Sequence, residues 1–153
     1  MIRLAKDGDY SAVESLWLEL NKHHSEVEPA LIRQVPVYME EQAFRGIIES
    51  SDQDILVFDE GTIRGAAWVL ERKHQGGQAI EIPIAFIQEI CVSDSSRGLG
   101  IGRKLMQAIE SWAKQRGLKL MELNVWSQNQ SAVRFYEELG YRKTRYEMSK
   151  SVV

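Results

Sequence analysis

The chain has 153 residues, 44% of them hydrophobic and 27% charged, an ordinary composition for one globular domain. Its net charge of −3 at pH 7 argues against a nucleic-acid binder, because neutralising phosphates takes a surplus of lysine and arginine. The single cysteine, Cys91, excludes an intramolecular disulfide, and no apolar stretch approaches the roughly 18 residues that span a bilayer. With no signal-peptide pattern at the start, we expect one cytoplasmic domain over residues 1–153, without membrane or nucleic-acid partners.

The front of the chain predicts a short edge strand followed by a helix. The strand covers residues 2–4, and Asp9 or Ser11 offers a helix N-cap, with Ser11 and Glu14 spaced as in a capping box. The polar run over residues 23–29 is expected to end the helix in a loop. Apolar residues at helical spacing form its buried stripe: Val13, Leu16, Trp17 and Leu20.

The middle of the chain predicts a second helix and then a strand meander. The helix extends from about Val37 to Ile48, with Tyr38 among the residues of its buried side. Gly76 and Gly77 mark a turn before the longest strand. The three predicted strands cover residues 55–58, 63–70 and 80–92.

The longest strand is apolar on both faces, which is typical of a central strand covered on both sides. Strict alternation puts Ile84, Phe86, Ile90 and Val92 on one face and Ala85, Ile87 and Cys91 on the other. Gln88 and Glu89 interrupt this pattern. Burial raises the pKa of a carboxyl group and is typical of functional groups, so Glu89 is a candidate general base. A slip or bulge at Gln88 would change which of the two side chains faces the site, and water is a third candidate base.

The rest of the chain alternates between helices and strands. We predict a helix over about 100–115, a strand over 118–126, a helix that starts at Asn129 or Ser131 and ends at Gly140, and a last strand over 141–148. Together with the meander, this order predicts a mixed α/β layered fold of the α+β type.

The most informative segment lies between the long strand and the helix that follows it. Alternate glycines allow tight turning and a close approach of the backbone to a ligand, and a helix start attracts anions. A phosphate or pyrophosphate site is therefore predicted. The Walker A pattern is absent, and the dinucleotide pattern fails because its third glycine would fall at Arg103. The segment consists of Arg97, Gly98, Leu99, Gly100, Ile101, Gly102 and Arg103.

This segment resembles the acetyl-CoA signature Q/R-x-x-G-x-G/A of the GNAT superfamily of N-acetyltransferases. A second family element is also matched, by Asn129, Ala132, Phe135, Tyr136, Leu139, Gly140 and Tyr141. The two regions together cover about residues 87–141. The resemblance implies a GNAT-like mixed, mostly antiparallel sheet flanked by helices, with the fourth and fifth strands splayed to hold the pantetheine arm.

The resemblance also implies roles for individual residues. Main-chain groups of Ile90, Cys91 and Val92 would pair with pantetheine, residues 97–103 would hold the pyrophosphate, and Asn129 and Ala132 would lie along the cofactor. Tyr136 would stand near the cofactor sulfur, where a hydroxyl can protonate the departing thiolate.

The function that follows is transfer of the acetyl group from acetyl-CoA to a primary amine, with no metal. The acceptor stays open among polyamines, amino acids, aminoglycosides, peptides and proteins. The alternative is a non-catalytic acyl-CoA-binding or sensor module. Exposed aromatic residues near the late strands, such as Trp126 and Tyr146, lead us to expect a homodimer.

Overall fold

The computed structural model describes residues 1–74, 77–78 and 80–153. Along these residues the helices and strands are joined by loops and by two 3-10 turns at Asp7–Asp9 and Asp94–Ser96. None of the helices in these ranges combines the length and apolar character that crossing a membrane requires. In chain order the elements are β1 (Ile2–Leu4), α1 (Tyr10–Val27), α2 (Glu41–Ile48), β2 (Gln53–Asp59), β3 (Ile63–Lys73), β4 (Pro83–Val92), α3 (Ile101–Gln115), β5 (Met121–Leu123) and α4 (Gln130–Glu138).

The strands form one sheet in the order β1-β2-β3-β4-β5. Neighbours are antiparallel from β1 to β4, whereas β5 lies parallel to β4. A parallel pair needs a crossover connection, and α3 provides it. The predicted fold class, a mixed and mostly antiparallel sheet flanked by helices, is confirmed.

Two apolar cores lie on opposite faces of this sheet. Alternate residues of β2 contribute to the two cores. Leu56 and Phe58 pack with α3 in what we call the α3 core, whereas Ile55 and Val57 pack with α1 and α2 in what we call the α1 core. Helix α4 joins the α3 core through its partly buried aromatic residues. Both faces of the sheet are therefore covered, which explains the apolar runs of its central strands.

Close packing of α3 on the sheet depends on a glycine in β3. A Cβ atom on Gly65 would lie 3.0 Å from Cγ2 of Ile101 and 3.2 Å from Cδ1 of Leu105. Such distances are below ordinary contact, so any larger residue would push α3 away. Gly65 thereby fixes the height at which the glycine-rich segment and the helix after it lie above the sheet.

Helix α1 differs from its prediction at both ends. It begins at Tyr10, and the expected capping box of Ser11 and Glu14 is wrong, because the Glu14 carboxylate instead accepts hydrogen bonds from the loop before α2. It continues to Val27, so the loop predicted from residue 23 is also wrong over residues 23–27. The helix ends where Glu28 takes φ −135° and ψ 68°, since the residue before a proline is disfavoured in helical geometry.

Other boundaries also moved. Helix α2 starts at Glu41 instead of Val37, the long strand starts at Pro83 instead of residue 80, and β5 covers only three residues. Of the predicted turn, Gly77 lies in a turn, whereas Gly76 lies outside the described residues. The predicted last strand is wrong: within the described chain, residues 141–153 form neither helix nor strand, and side chains such as Met148, 90% exposed, find no surface to cover.

Candidate functional site

Strand β4 contains one extra residue at Gln88. Across the β3–β4 pair, Trp68 lies opposite Glu89 while Val69 lies opposite Ile87, so Gln88 has no counterpart in β3. This arrangement is a β-bulge, in which one strand carries an additional residue and the alternation of side chains is reset. A bulge at Gln88 was one of the alternatives that the sequence allowed, and the structure contains it.

Beyond the bulge the side chains change face. Ile87, Ile90 and Val92 all pack against the α3 core, whereas Cys91 belongs to the α1 core. The prediction that put Ile87 and Ile90 on opposite faces is wrong, because it assumed uninterrupted alternation. Glu89, for the same reason, turns towards the side of α1, while the bulged side chain itself is exposed.

Past Ile87, β4 loses its neighbour on one side. Pairing with β5 is confined to Ala85–Ile87 in the described chain. The amide of Ser93 donates to the carbonyl oxygen of Arg64 at 2.9 Å, so alternation along the ladder turns the main-chain groups of Ile90 and Val92 away from β3. These groups line a gap between two diverging strands, where an extended ligand can pair as a strand would.

The glycine-rich segment that follows requires glycine at two of its positions. Gly98 has φ +80° and Gly100 has φ +76°, a left-handed conformation that other residues rarely adopt. Among the described residues no atom lies within 4 Å of a Cβ built on either glycine. The amide of Lys104 donates the first hydrogen bond of α3, to the carbonyl oxygen of Gly100 at 3.1 Å, which leaves the earlier amides of the helix available to a ligand. An open, amide-lined cradle of this kind suits a phosphate group.

The remaining apolar and small residues of the segment differ in burial and packing. Leu99 is 62% exposed, while the side chain of Ile101 is buried in the α3 core. A Cβ on Gly102 would lie 3.4 Å from Cζ of Phe135 and 3.8 Å from Cγ2 of Val92. Gly102 therefore lies at the contact between α3, α4 and the end of β4.

The two arginines of the segment are half-exposed and already have acidic neighbours. Arg97 pairs with Asp94 at 2.8 Å, and its Nε donates to the carbonyl oxygen of Val92 at 3.4 Å. Arg103 lies 3.8 Å from Glu138 of α4. Exposed ion pairs of this kind contribute little to stability, so either guanidinium can turn to an anionic ligand at small cost.

The start of α4 is held by its own capping residue. Oδ1 of Asn129 accepts hydrogen bonds from the amide of Ala132, at 3.4 Å, and from Ser131 Oγ, at 3.2 Å. This contact is that of an N-cap, and it holds Asn129 and Ala132 at the start of α4.

Glu89 has a partner that the sequence did not suggest. The hydroxyl of Tyr38 donates to Oε1 of Glu89. Burial raises the pKa of Glu89, and the hydrogen bond from Tyr38 acts in the opposite direction. Tyr38 was predicted on the buried side of a helix, but it lies in the loop before α2. Nothing in sequence spacing connects it to a carboxylate 51 residues away.

Tyr136 packs against the α3 core, on the face of the sheet opposite to Glu89. Its ring packs edge-on against Phe135 and Tyr141, with centroid separations of 5.3 and 5.8 Å. Burial, and then the charge of Glu89, raise the pKa of Tyr136 to about 12, so the hydroxyl keeps its proton at neutral pH. Glu89 and Tyr136 thus lie close enough for the charge of one to affect the proton affinity of the other.

Cys91 is buried on the α1 side of β4. Burial raises the pKa of its thiol to about 12, which keeps the sulfur protonated and unreactive at neutral pH. The side chain therefore has a packing role, and the alternation of the ladder turns the main-chain groups of Cys91 towards Ala66 of β3 instead of towards the gap.

A cleft of about 460 Å³ lies beside the glycine-rich segment, between it and the last turns of α1. Glu19 closes one side, where its carboxylate accepts from the amide of Asp94 at 3.1 Å. His23 faces this cleft, and burial lowers the pKa of its neighbour His24. The charged residues of the cleft are mixed in sign: Glu19, Lys22, Glu26, Asp94 and Arg97.

Comparison with known proteins identifies similar chains. The model of the acetyltransferase (GNAT) family matches residues 13–141. YycN of Bacillus subtilis, described as an uncharacterized N-acetyltransferase, is 29% identical over 98 residues, which are 63% of this chain and 59% of that protein. Matches to the first curated relatives span only 26% to 59% of the relatives' own length.

Solved structures are similar over the whole chain. A mutant of the BH1408 protein from Bacillus halodurans superimposes with a TM-score of 0.93 at 26% identity, covering 100% of this chain and 99% of that one. The aminoglycoside N-acetyltransferase AAC(6')-Iy in complex with CoA gives a TM-score of 0.75 at 16% identity, over 99% of this chain and 98% of that one. At that identity the second likeness concerns the fold alone.

Proposed function

This chain belongs to the acetyltransferase (GNAT) family, and on that premise we propose that it transfers the acetyl group of acetyl-CoA directly to a primary amine of a small molecule or peptide. The proposal treats residues 1–153 as one catalytic domain, since both cores share the single sheet. It also keeps the cytoplasmic location and the homodimer expected from the sequence.

One observation carries the proposal: a part-buried carboxylate on β4 and a tyrosine hydroxyl on α4 lie close enough for the charge of the first to affect the proton affinity of the second. Glu89 supplies the carboxylate and Tyr136 the hydroxyl. A binding module would need the cradle but has no use for this pair. The pairing of a base and an acid therefore favours catalysis.

The residues of the site fit coenzyme A in three respects. The left-handed glycines Gly98 and Gly100 leave open space where a side chain would stand, which suits the pyrophosphate. Main-chain groups of Ile90 and Val92 line the gap for the pantetheine arm, with Arg97 and Arg103 near enough to adjust to phosphate charge. Bound acetyl-CoA supplies the thioester that the amine attacks.

The proposed roles follow from proton movement. An amine has a pKa of roughly 10, so attack requires that its nitrogen lose a proton, which Glu89 accepts on a carboxylate oxygen. A carbon–nitrogen bond forms, the carbon–sulfur bond breaks, and Tyr136 donates its hydroxyl proton to the departing sulfur. The tyrosinate is then reprotonated from Glu89 through solvent, and the second proton of the attacking nitrogen goes to water as the amide forms. The products are therefore an amide, free coenzyme A and one proton, with no net change in the protein.

A thiol-release assay tests the function. The protein is incubated with acetyl-CoA and a panel of polyamines, amino acids, aminoglycosides and peptides, and free thiol is measured against a no-amine control. We expect release with at least one class of amine. A protein that is stabilised against heat by coenzyme A but releases no thiol with any amine would instead be the acyl-CoA-binding module.

A further inference from the structure

The loop between α1 and α2 is attached to α1 at several points. Glu14 accepts hydrogen bonds from two successive amides, Tyr38 to Oε1 at 2.6 Å and Met39 to Oε2 at 3.0 Å. Tyr10 donates to the carbonyl oxygen of Met39 at 2.8 Å. Further back, the buried Asn21 donates to the Arg33 carbonyl oxygen at 3.0 Å. The loop is thus tied to a helix that packs on the sheet.

These ties determine where the Tyr38 side chain lies. Its ring packs near Trp17, with centroids 6.3 Å apart, and its hydroxyl reaches Oε1 of Glu89. In the described chain, no hydrogen bond occupies the other carboxylate oxygen of Glu89. One oxygen is therefore held and the other is left for a substrate.

We propose that Tyr38 is a positioning residue for acetyl transfer, which holds one oxygen of Glu89 so that the other faces the acceptor amine, and that Glu14 sets the place of Tyr38. The inference rests on the proposed role of Glu89 as base. A carboxylate on a strand has free side-chain torsions, and a fixed donor on one oxygen removes much of that freedom before the amine arrives.

The hydrogen bond also affects the charge of the base. Burial favours the protonated form of Glu89, whereas a donated hydrogen bond favours the carboxylate and so keeps the pKa from rising further. Burial and the nearby charges of Glu89 and Glu14 raise the pKa of Tyr38, which therefore remains a donor. The other titratable groups around Glu89 are Tyr136 from α4 and Cys91 on β4, both neutral at pH 7.

The test measures the Glu89 carboxyl directly, without need of an acceptor. Protein labelled with ¹³C at glutamate side chains is titrated by NMR, with the Glu89 signal assigned by its loss in Glu89→Gln. In Tyr38→Phe we expect the pKa of Glu89 to rise, since the opposing hydrogen bond is gone. Tyr10→Phe is the matched control: it removes one loop tie, leaves Glu14 and Asn21 in place, and should leave that pKa unchanged.

The second arm uses the best amine from the thiol-release panel. The acid limb of kcat/KM should move to higher pH in Tyr38→Phe, with kcat/KM reduced about 10-fold or more at neutral pH and the Kd for coenzyme A unchanged. Glu14→Gln, which keeps one acceptor oxygen, should give a smaller change in the same direction. An unshifted Glu89 pKa in Tyr38→Phe overturns the role of Tyr38, even if Glu89→Gln is inactive. Normal turnover by Glu89→Gln overturns the proposed base instead.

Discussion

A Cβ atom on Gly102 would lie 3.4 Å from the ring of Phe135, a distance of ordinary van der Waals contact. Gly100, two residues earlier, has φ +76°, where any side chain is strained. This difference explains the signature Q/R-x-x-G-x-G/A, which accepts alanine at the second of these positions and only glycine at the first. The two glycines serve different purposes, packing in one case and backbone conformation in the other.

Gly102→Ala should therefore be tolerated. The methyl group fits against Phe135, and alanine is the better helix former, so the free energy of unfolding should change by less than about 1 kcal/mol. Gly102→Leu, by contrast, should lose about 1–3 kcal/mol through overpacking against α4. Urea unfolding of both variants checks this, and equal losses in the two would contradict the packing explanation.

Gly100→Val should abolish the rise in melting temperature that coenzyme A gives the native protein, because a side chain would fill the phosphate cradle. The substitution also strains the backbone, at a cost of roughly 1–2 kcal/mol. Gly117→Val is the matched control, since Gly117 has φ +70° after the opposite end of α3, with nothing within 4 Å of its Cβ among the described residues. If the control loses the coenzyme A shift as well, strain and not the cradle is responsible.

Tyr136→Phe should fold and bind coenzyme A normally but lower kcat by about 10- to 1,000-fold, as expected for a lost proton donor. Tyr141→Phe provides the comparison within the same aromatic cluster. The Tyr141 hydroxyl is buried and has no hydrogen-bond partner in the described chain, so its removal should leave kcat unchanged and raise stability by up to about 1 kcal/mol. Steady-state kinetics with the identified acceptor decides, and a fully active Tyr136→Phe would transfer the donor role to water or another group.

Glu89→Gln should reduce the rate most at low pH. There the amine is almost fully protonated and depends on a base, whereas near its own pKa of roughly 10 it needs none. The ratio of wild-type to variant kcat/KM should therefore shrink as pH rises. A ratio that is constant from pH 6 to about pH 9 would mean that Glu89 acts by some means other than proton removal.

Acid should weaken the fold through Asp9. The Arg3 guanidinium makes two hydrogen bonds to this buried carboxylate, at 2.7 and 3.0 Å, and they hold the pKa of Asp9 below the usual 3.8. A lowered folded-state pKa stabilises the protein above the unfolded value, and this stability is lost as pH falls through the folded one. Asp9→Asn should cost about 1–3 kcal/mol at pH 7 and flatten the loss of stability below about pH 4, while the exposed Asp7→Asn should do neither.

The sequence predicted the structural features that depend on residues close together in the chain. Glycines at alternate positions before an apolar helical stripe indicated the cradle and α3. The left-handed φ values of Gly98 and Gly100 agree with the conformational reason for two of these glycines. What the sequence could not supply were contacts between distant segments. Glu14 had the spacing of a capping residue, and only the folded chain shows its carboxylate bound to amides 24 and 25 residues away. The same holds for Tyr38, whose partner lies on another element.

Strand boundaries failed for a related reason. A run such as residues 141–148 has suitable composition, but composition does not determine whether a segment pairs with an existing strand, and this segment does not. Residue alternation likewise gave the correct faces of β4 up to Ile87 and the wrong ones after it. The assignments of Glu89, Tyr136 and the cofactor residues remain predictions.

The extra residue in β4 keeps the gap between β4 and β5 open, independently of the chemistry of its side chain. Deleting Gln88 would restore regular alternation while leaving Ile90, Val92 and Glu89 on the faces they now occupy. The two cores would survive, but the strand would straighten and could continue its ladder with β5. A chain without Gln88 should thus fold but close the gap between β4 and β5. A one-residue deletion would therefore separate the loss of ligand binding from the loss of folding.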